Sequence, residues 1–218
     1  MKGPGLLAVL IVLLGACTSS NRPVDAPPST VPATVPVTVL GTVAATLPVT
    51  ATVTVPLTAP GALPDPVYTP GATNPSVAPQ TIAGTICASG WTATVRPPES
   101  YTEEVKRLET MSGGTVSYGG VTYQVHGFEL ADPTLSHYEL DHLIPLELGG
   151  APADPRNLWM QPYETPTGAA AKGTGSETKD KVENSARAAV CDGRLTLADA
   201  QRLMATNWLV LGRELGAA

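Results

Sequence analysis

Asp141 and His142 stand side by side in the stretch YELDHLIPLELGGAPADPRNLWMQP, residues 138–162. An apolar run follows them, then Gly149-Gly150, then Asn157-Leu158-Trp159. A neutral imidazole is a suitable proton acceptor near pH 7, and a carboxylate is a suitable oxygen ligand for a hard divalent cation such as Mg²⁺. Together they suit hydrolysis of a phosphodiester, which needs a water deprotonated for attack and charge relief at the phosphate and the leaving oxygen. On an ideal strand, neighbouring side chains point to opposite faces. The two residues can therefore serve one site only if the strand ends or bends at Leu143-Ile144-Pro145.

The elements that must position this pair can be read from pattern. TICASGWTATVRPP, residues 85–98, reads as a strand or turn region. Ser100 and Glu103 have capping-box spacing and predict a helix that stops at Ser112-Gly113-Gly114. GGVTYQVHGFEL reads as a strand, His137 to Leu143 as another, Gly149 to Arg156 as a loop, and Asn157 to Met160 as a short returning strand. Two helices follow. One runs from about Ser176 to Val190 with Val182, Ala186, Ala189 and Val190 as its apolar stripe. The other starts at Thr196 and carries Ala200, Leu203, Met204, Trp208, Leu211 and Leu215, with Gly216 as a stop. Strand, loop, strand, helix is an α+β order. Trp91, Trp159 and Trp208 are expected in the core.

The two ends of the chain bound its setting. MKGPGLLAVLIVLLGAC has a charge at Lys2 and a short apolar run ending in small residues, the layout of a secretory signal peptide over residues 1–16. The run is shorter than the roughly 20 residues that a spanning helix needs. Leu14-Gly15-Ala16-Cys17 looks like a lipobox, with Cys17 the lipidated residue; the alternative is cleavage after Ala16 to give a free secreted protein. The expected location is extracytoplasmic, anchored to a bacterial membrane. With Cys17 lipidated, Cys87 and Cys191 remain as a pair, and an oxidising compartment favours a disulfide over two buried thiols. Closing a loop of about 100 residues is worth roughly 4 to 5 kcal/mol in the chain-entropy picture. Residues 17–80 are rich in Pro, Thr, Val and Ala, with no charge between Asp25 and Asp65. Proline recurs too often there for a central strand, so this segment reads as a disordered, extended stalk, up to about 190 Å at full extension.

Residues 81–218 then form one folded domain. The chain has 13 Lys and Arg against 19 Asp and Glu, and two of each lie before residue 81, so this domain carries the whole formal charge of −6. An acidic surface does not favour non-specific nucleic-acid binding, which relies on Lys and Arg, although a bound cation can reverse the local field. No P-loop, GxSxG or CxxC pattern is present.

DHLIPLELGG…RNLW resembles the HNH branch of the His-Me finger (ββα-metal) endonucleases. ICASGWTATVRPP, KDKVEN and VCDGRLTLADAQ are similar to phrases in a group of secreted bacterial proteins that carry such a domain. The resemblance covers most of residues 86–210. It implies a ββα-metal core with flanking helices and a metal-dependent endonuclease acting on DNA or RNA without sequence specificity. It also implies His142 as general base, Asp141 as a metal ligand, and Asn157 as the residue orienting the imidazole. The implied metal is Mg²⁺, with Mn²⁺ and Zn²⁺ as alternatives. The family's usual third motif residue is a helix-borne His or Asn, and no histidine follows His142 here. On a helical wheel Lys179 and Glu183 flank the Val182/Ala186 stripe, whereas Asp180, Asn184 and Arg187 fall on the other side. That makes Glu183 the expected second metal ligand and places Lys179 near the phosphate; an ordinary surface pair at i,i+4 is the alternative. Glu139 shares the Asp141 face, and Glu164 is a weaker acidic candidate. Arg96 could meet phosphate or sit in a surface turn. His126 and His137 match no zinc spacing. The expected molecule is a monomer, and the rival reading is a catalytically inactive cell-surface binding or structural lipoprotein with the same fold.

Overall fold

Pro97 and Pro98 separate two helices, because proline lacks an N–H and drives the residue before it to extended backbone. The computed structural model describes residues 62–218. In it a short helix α1 (Trp91–Val95) forms where a strand or turn is expected from sequence. Helix α2 (Glu99–Glu109) starts directly after Pro98, without the capping-box contact expected from Ser100 and Glu103. Its buried residues Tyr101, Val105 and Leu108 recur at helical spacing. They pack on Val116 and Val125 of an antiparallel hairpin, β1 (Gly114–Tyr118) and β2 (Val121–Val125).

A second, separate hairpin pairs β3 (Tyr138–His142) with β4 (Leu158–Pro162), setting Asp141 opposite Trp159 and His142 opposite Leu158. All five residues of β4 are buried. Helices α3 (Ser176–Cys191) and α4 (Leu197–Leu215) complete an α+β architecture with two small two-stranded sheets. Thr196 caps α4 by accepting from Asp199 N at 3.1 Å, and Gly216 ends it in a left-handed conformation. Non-helical backbone at Asn207 kinks α4. Val182 and Ala186 of α3 meet Met204, Trp208 and Leu211 of α4 in the larger core. Burial of each large apolar side chain there is worth about 1.5–3 kcal/mol. Cys87 and Cys191 form a disulfide across 104 residues. It ties the segment before α1 to the end of α3.

The composition-based boundary at residue 80 moves. Ala62, Thr69 and Val77 are buried, and Trp208 Nε1 donates to Ala62 O at 2.6 Å. Gly71 N donates to Arg156 O and Asn74 N to Gly149 O, while Ala72 O accepts from Ala151 N. Residues 62–80 are thus part of the folded unit, held by backbone hydrogen bonds that composition does not reveal. The expected signal peptide, Cys17 and the stalk before residue 62 lie outside the described residues. Among the described residues no helix is long and apolar enough to cross a membrane.

Candidate active site

β3 ends at His142, and the chain turns away through Leu143 to Pro145. That ending lets both Asp141 and His142 line one cleft of about 710 Å³, despite their adjacency on a strand. The other wall is supplied by Arg96 and by Glu99, Glu103 and Lys106 of α2, and α3 contributes Asp180, Glu183 and Asn184. Glu139 and Glu147 complete the acidic lining.

The loop between β3 and β4 is pinned from inside by Asn157. Its Oδ1 accepts from Ile144 N at 2.9 Å, and its Nδ2 donates to Ile144 O at 2.9 Å and Ala151 O at 3.1 Å. The amide is fully engaged with backbone, so Asn157 does not orient the imidazole, as the resemblance implies; it holds the loop that surrounds it. Gly150 makes this possible: a Cβ there would stand 1.8 Å from Ile144 O and 2.7 Å from Asn157 Nδ2.

The imidazole is oriented instead by main chain. His142 Nε2 lies 2.9 Å from Pro152 O. A carbonyl can only accept, so this nitrogen carries the proton and Nδ1 is left as the basic nitrogen of the neutral ring. Burial lowers the His142 pKa, against a raising pull from Asp141 and from the Pro152 carbonyl, with Lys179 and Arg96 adding to the lowering. The side chain is only 7% exposed, yet it belongs to the cleft wall. A neutral, tautomerically fixed imidazole is what a general base at neutral pH requires.

Lys179 is 0% exposed. Its ammonium donates to Asp141 Oδ2 at 2.6 Å, to His142 O at 2.8 Å, and to Glu183 Oε1. All three of its N–H groups are thereby used. Burial alone would lower its pKa, but the Asp141 and Glu183 carboxylates outweigh that and hold it charged. Lys179 therefore does not stand free for a phosphate, as the wheel suggested; it clamps the end of β3 to α3. Nor is Lys179–Glu183 a surface pair, since both are buried. Glu183, the expected second metal ligand, is the counter-ion of Lys179, and burial pushes its carboxyl upward.

The rest of the cleft is acidic and crowded. Burial raises the Glu139 pKa, and Asp141 and Asp180 push it further against hydrogen bonds from Ser176 and Tyr163. Burial also raises Asp180, with Asp141 and Glu147 adding to it against Lys179. Among the described residues no three His, Cys, Asp or Glu side chains form a group that could hold a metal ion as they stand. The donors are nevertheless of the right kind for a hard cation. Asp141 keeps its second oxygen and is 23% exposed, and the repelling carboxylates around it would be relieved by positive charge.

Asp180, Asn184, Glu147 and Lys106 line the cleft although neither helical position nor the motif singles them out. A helical wheel sets Asp180 and Asn184 on the far side of α3, but the cleft wraps that flank of the helix too. Their i,i+4 spacing in KDKVEN was the one available signal, and Asn184 Nδ2 does donate to Asp180 O at 2.8 Å. Arg96 does face the cleft. Glu164 instead bonds Thr178 and Glu177 near the start of α3. His126 stacks on Tyr68 and His137 pairs with Asp132, both away from the cleft. No family model, curated protein or solved structure matches this chain.

Proposed function

We propose that this chain is a metal-dependent endonuclease of the HNH type, hydrolysing phosphodiester bonds of DNA or RNA with His142 as the general base. One observation carries the reading. A buried neutral histidine, its Nε2 proton committed to Pro152 O, lines a cleft beside an aspartate and across from two cations. The succession of β3, β4 and α3 also has the order of a ββα-metal core.

His142 Nδ1 takes the proton from the attacking water. Arg96 and Lys106 meet the phosphate from the opposite wall. Asn157 and Gly150 keep the loop closed around the imidazole, and Lys179 keeps Asp141 and the end of β3 in register with α3. The oxygens able to hold a divalent cation are those of Asp141, with Asp180, Asn184 and Glu147 close by on the cleft wall. Such an ion, when bound, supplies the charge relief that a phosphoryl centre and its leaving oxygen require. In this reading the domain works outside the cytoplasm as a monomer, held to the membrane through lipid on Cys17.

The test is cleavage of plasmid DNA and of RNA by the full chain with Mg²⁺ or Mn²⁺. Activity should vanish with EDTA and fall by about 10²–10⁴-fold in His142→Ala. One observation favours the rival reading of a catalytically inactive surface module: Lys179 already occupies the space between the carboxylates of Asp141 and Glu183. Absence of cleavage with either metal, from a folded and disulfide-bonded chain, would decide for that rival.

A further inference from the structure

The active-site cleft has a neighbour. A second recess, of about 310 Å³, shares Glu147 and Asn184 with it and continues along Ser89, Trp91 and Arg187. Helix α1 joins the two, since Trp91 at its start lines the recess and Arg96 just beyond its end lines the cleft. Five residues of helical rise separate them by about 7.5 Å, close enough for one strand to meet both.

Two side chains give the recess its chemistry. Arg187 donates from Nε to Ile86 O at 2.6 Å, and among the described residues it forms no ion pair with a carboxylate. Its guanidinium is thus aimed and anchored while its outer N–H groups have no charged partner, in a domain whose acids outnumber its bases. Trp91 is the accessible tryptophan: Trp159 is 4% and Trp208 0% exposed, whereas Trp91 is half-buried with part of its surface in the recess.

We propose that Trp91 and Arg187 form a nucleotide subsite flanking the scissile phosphate, with the indole stacking on an unpaired base and the guanidinium meeting the adjoining phosphate. This rests on the phosphodiesterase reading and gives it a substrate class. A base stacked on a side chain must leave its own helical stack, so the site takes single-stranded nucleic acid in preference to duplex. The loop carrying Ser89 is fixed to α3 by the Cys87–Cys191 disulfide, so the subsite is held rigidly beside the cleft.

Tryptophan emission tests this independently of turnover, because of the three tryptophans only Trp91 lines this recess or the adjoining cleft. A short oligothymidylate, titrated into the full chain carrying His142→Ala, should quench emission, and its blunt duplex with oligoadenylate should quench less. Trp91→Leu should abolish the quenching and weaken binding about 10-fold by labelled-oligonucleotide anisotropy. Arg187→Gln should flatten the dependence of log affinity on log salt by about 0.7 for a single strand. An unchanged melting temperature would show that the Ile86 tether is dispensable to folding. If Arg187→Gln does not fold, Arg187→Lys, which keeps the charge, should retain the slope. Cleavage by the wild-type chain without quenching, or quenching as strong by duplex, would overturn the subsite and leave the nuclease reading standing. Neither quenching nor cleavage would remove both.

Discussion

Two regions of this molecule bury polar and ionisable side chains, and they meet the cost in opposite ways. Around Lys179 every donor is matched: the ammonium bonds Asp141, Glu183 and a main-chain carbonyl, and the nearby Asn157 amide spends all its capacity on the loop. Behind β4 the pattern reverses. Gln161 is fully buried with both amide atoms unpartnered among protein groups, and Trp159 Nε1 and Glu109 Oε2 are unpartnered as well. Burial raises the Glu109 pKa to about 9, against an opposing backbone hydrogen bond from Met160, so this carboxyl is neutral where Lys179 is charged. A paired buried charge fixes geometry; an unpaired one is discharged. The first region is the one that lines the cleft.

The largest test of that contrast is Lys179→Met. It leaves the buried Glu183 carboxylate facing the half-buried Asp141 without a counter-ion and should cost about 3–5 kcal/mol in chemical denaturation, with activity lost as Asp141 and the end of β3 drift. The triple change Lys179→Met, Asp141→Asn, Glu183→Gln should recover most of the stability and none of the activity. Equal destabilisation in both would mean that packing, and not charge pairing, is what Lys179 supplies.

Buried amides sharpen the comparison next. Asn157→Ala strands three backbone groups of the loop and should cost about 2–4 kcal/mol, whereas Gln161→Met, removing two unpartnered atoms, should change stability by less than about 1 kcal/mol. A large loss at Gln161 would show that its amide is satisfied in solution.

The effect of Glu109 depends on pH, and its sign runs opposite to an ordinary ion pair. The folded protein keeps a proton that the unfolded chain releases above about 4.5. The stability this carboxyl contributes is therefore complete below the unfolded value and declines as pH rises toward about 9. Glu109→Gln should stabilise the protein by about 1–3 kcal/mol at pH 8 and have no stabilising effect near pH 4. A pH-independent gain in melting temperature would point to hydrogen bonding rather than titration.

Periodicity made the two long helices legible, and cysteine pairing made the disulfide so, because each depends on local spacing or on simple counting. The Asp141–His142 pair and its strand ending were legible for the same reason. Depth was not. A wheel puts Lys179 beside the Val182 stripe but cannot say that β3 comes close enough to bury it and use all three of its N–H groups. The resemblance singles out Asn157 but implies the imidazole as its partner, whereas its partners are backbone atoms, which carry no sequence signature. Residues 62–80 share their composition with the Pro/Thr-rich residues 17–61 before them. What folds them is main-chain bonding to Gly149, Ala151 and Arg156, equally silent in the sequence.

That last segment makes the domain sensitive to mechanical direction. A pull on the chain ahead of residue 62 enters the fold first at Ala62, whose carbonyl is gripped by Trp208, the largest fully buried side chain of α4. Only after that grip yields would strain reach Thr73, which bridges Gly150 in the loop around His142. Tension applied at residue 62 would thus be taken up in the helical core before it could distort the cleft. Trp208 would then carry the load that the cleft is spared.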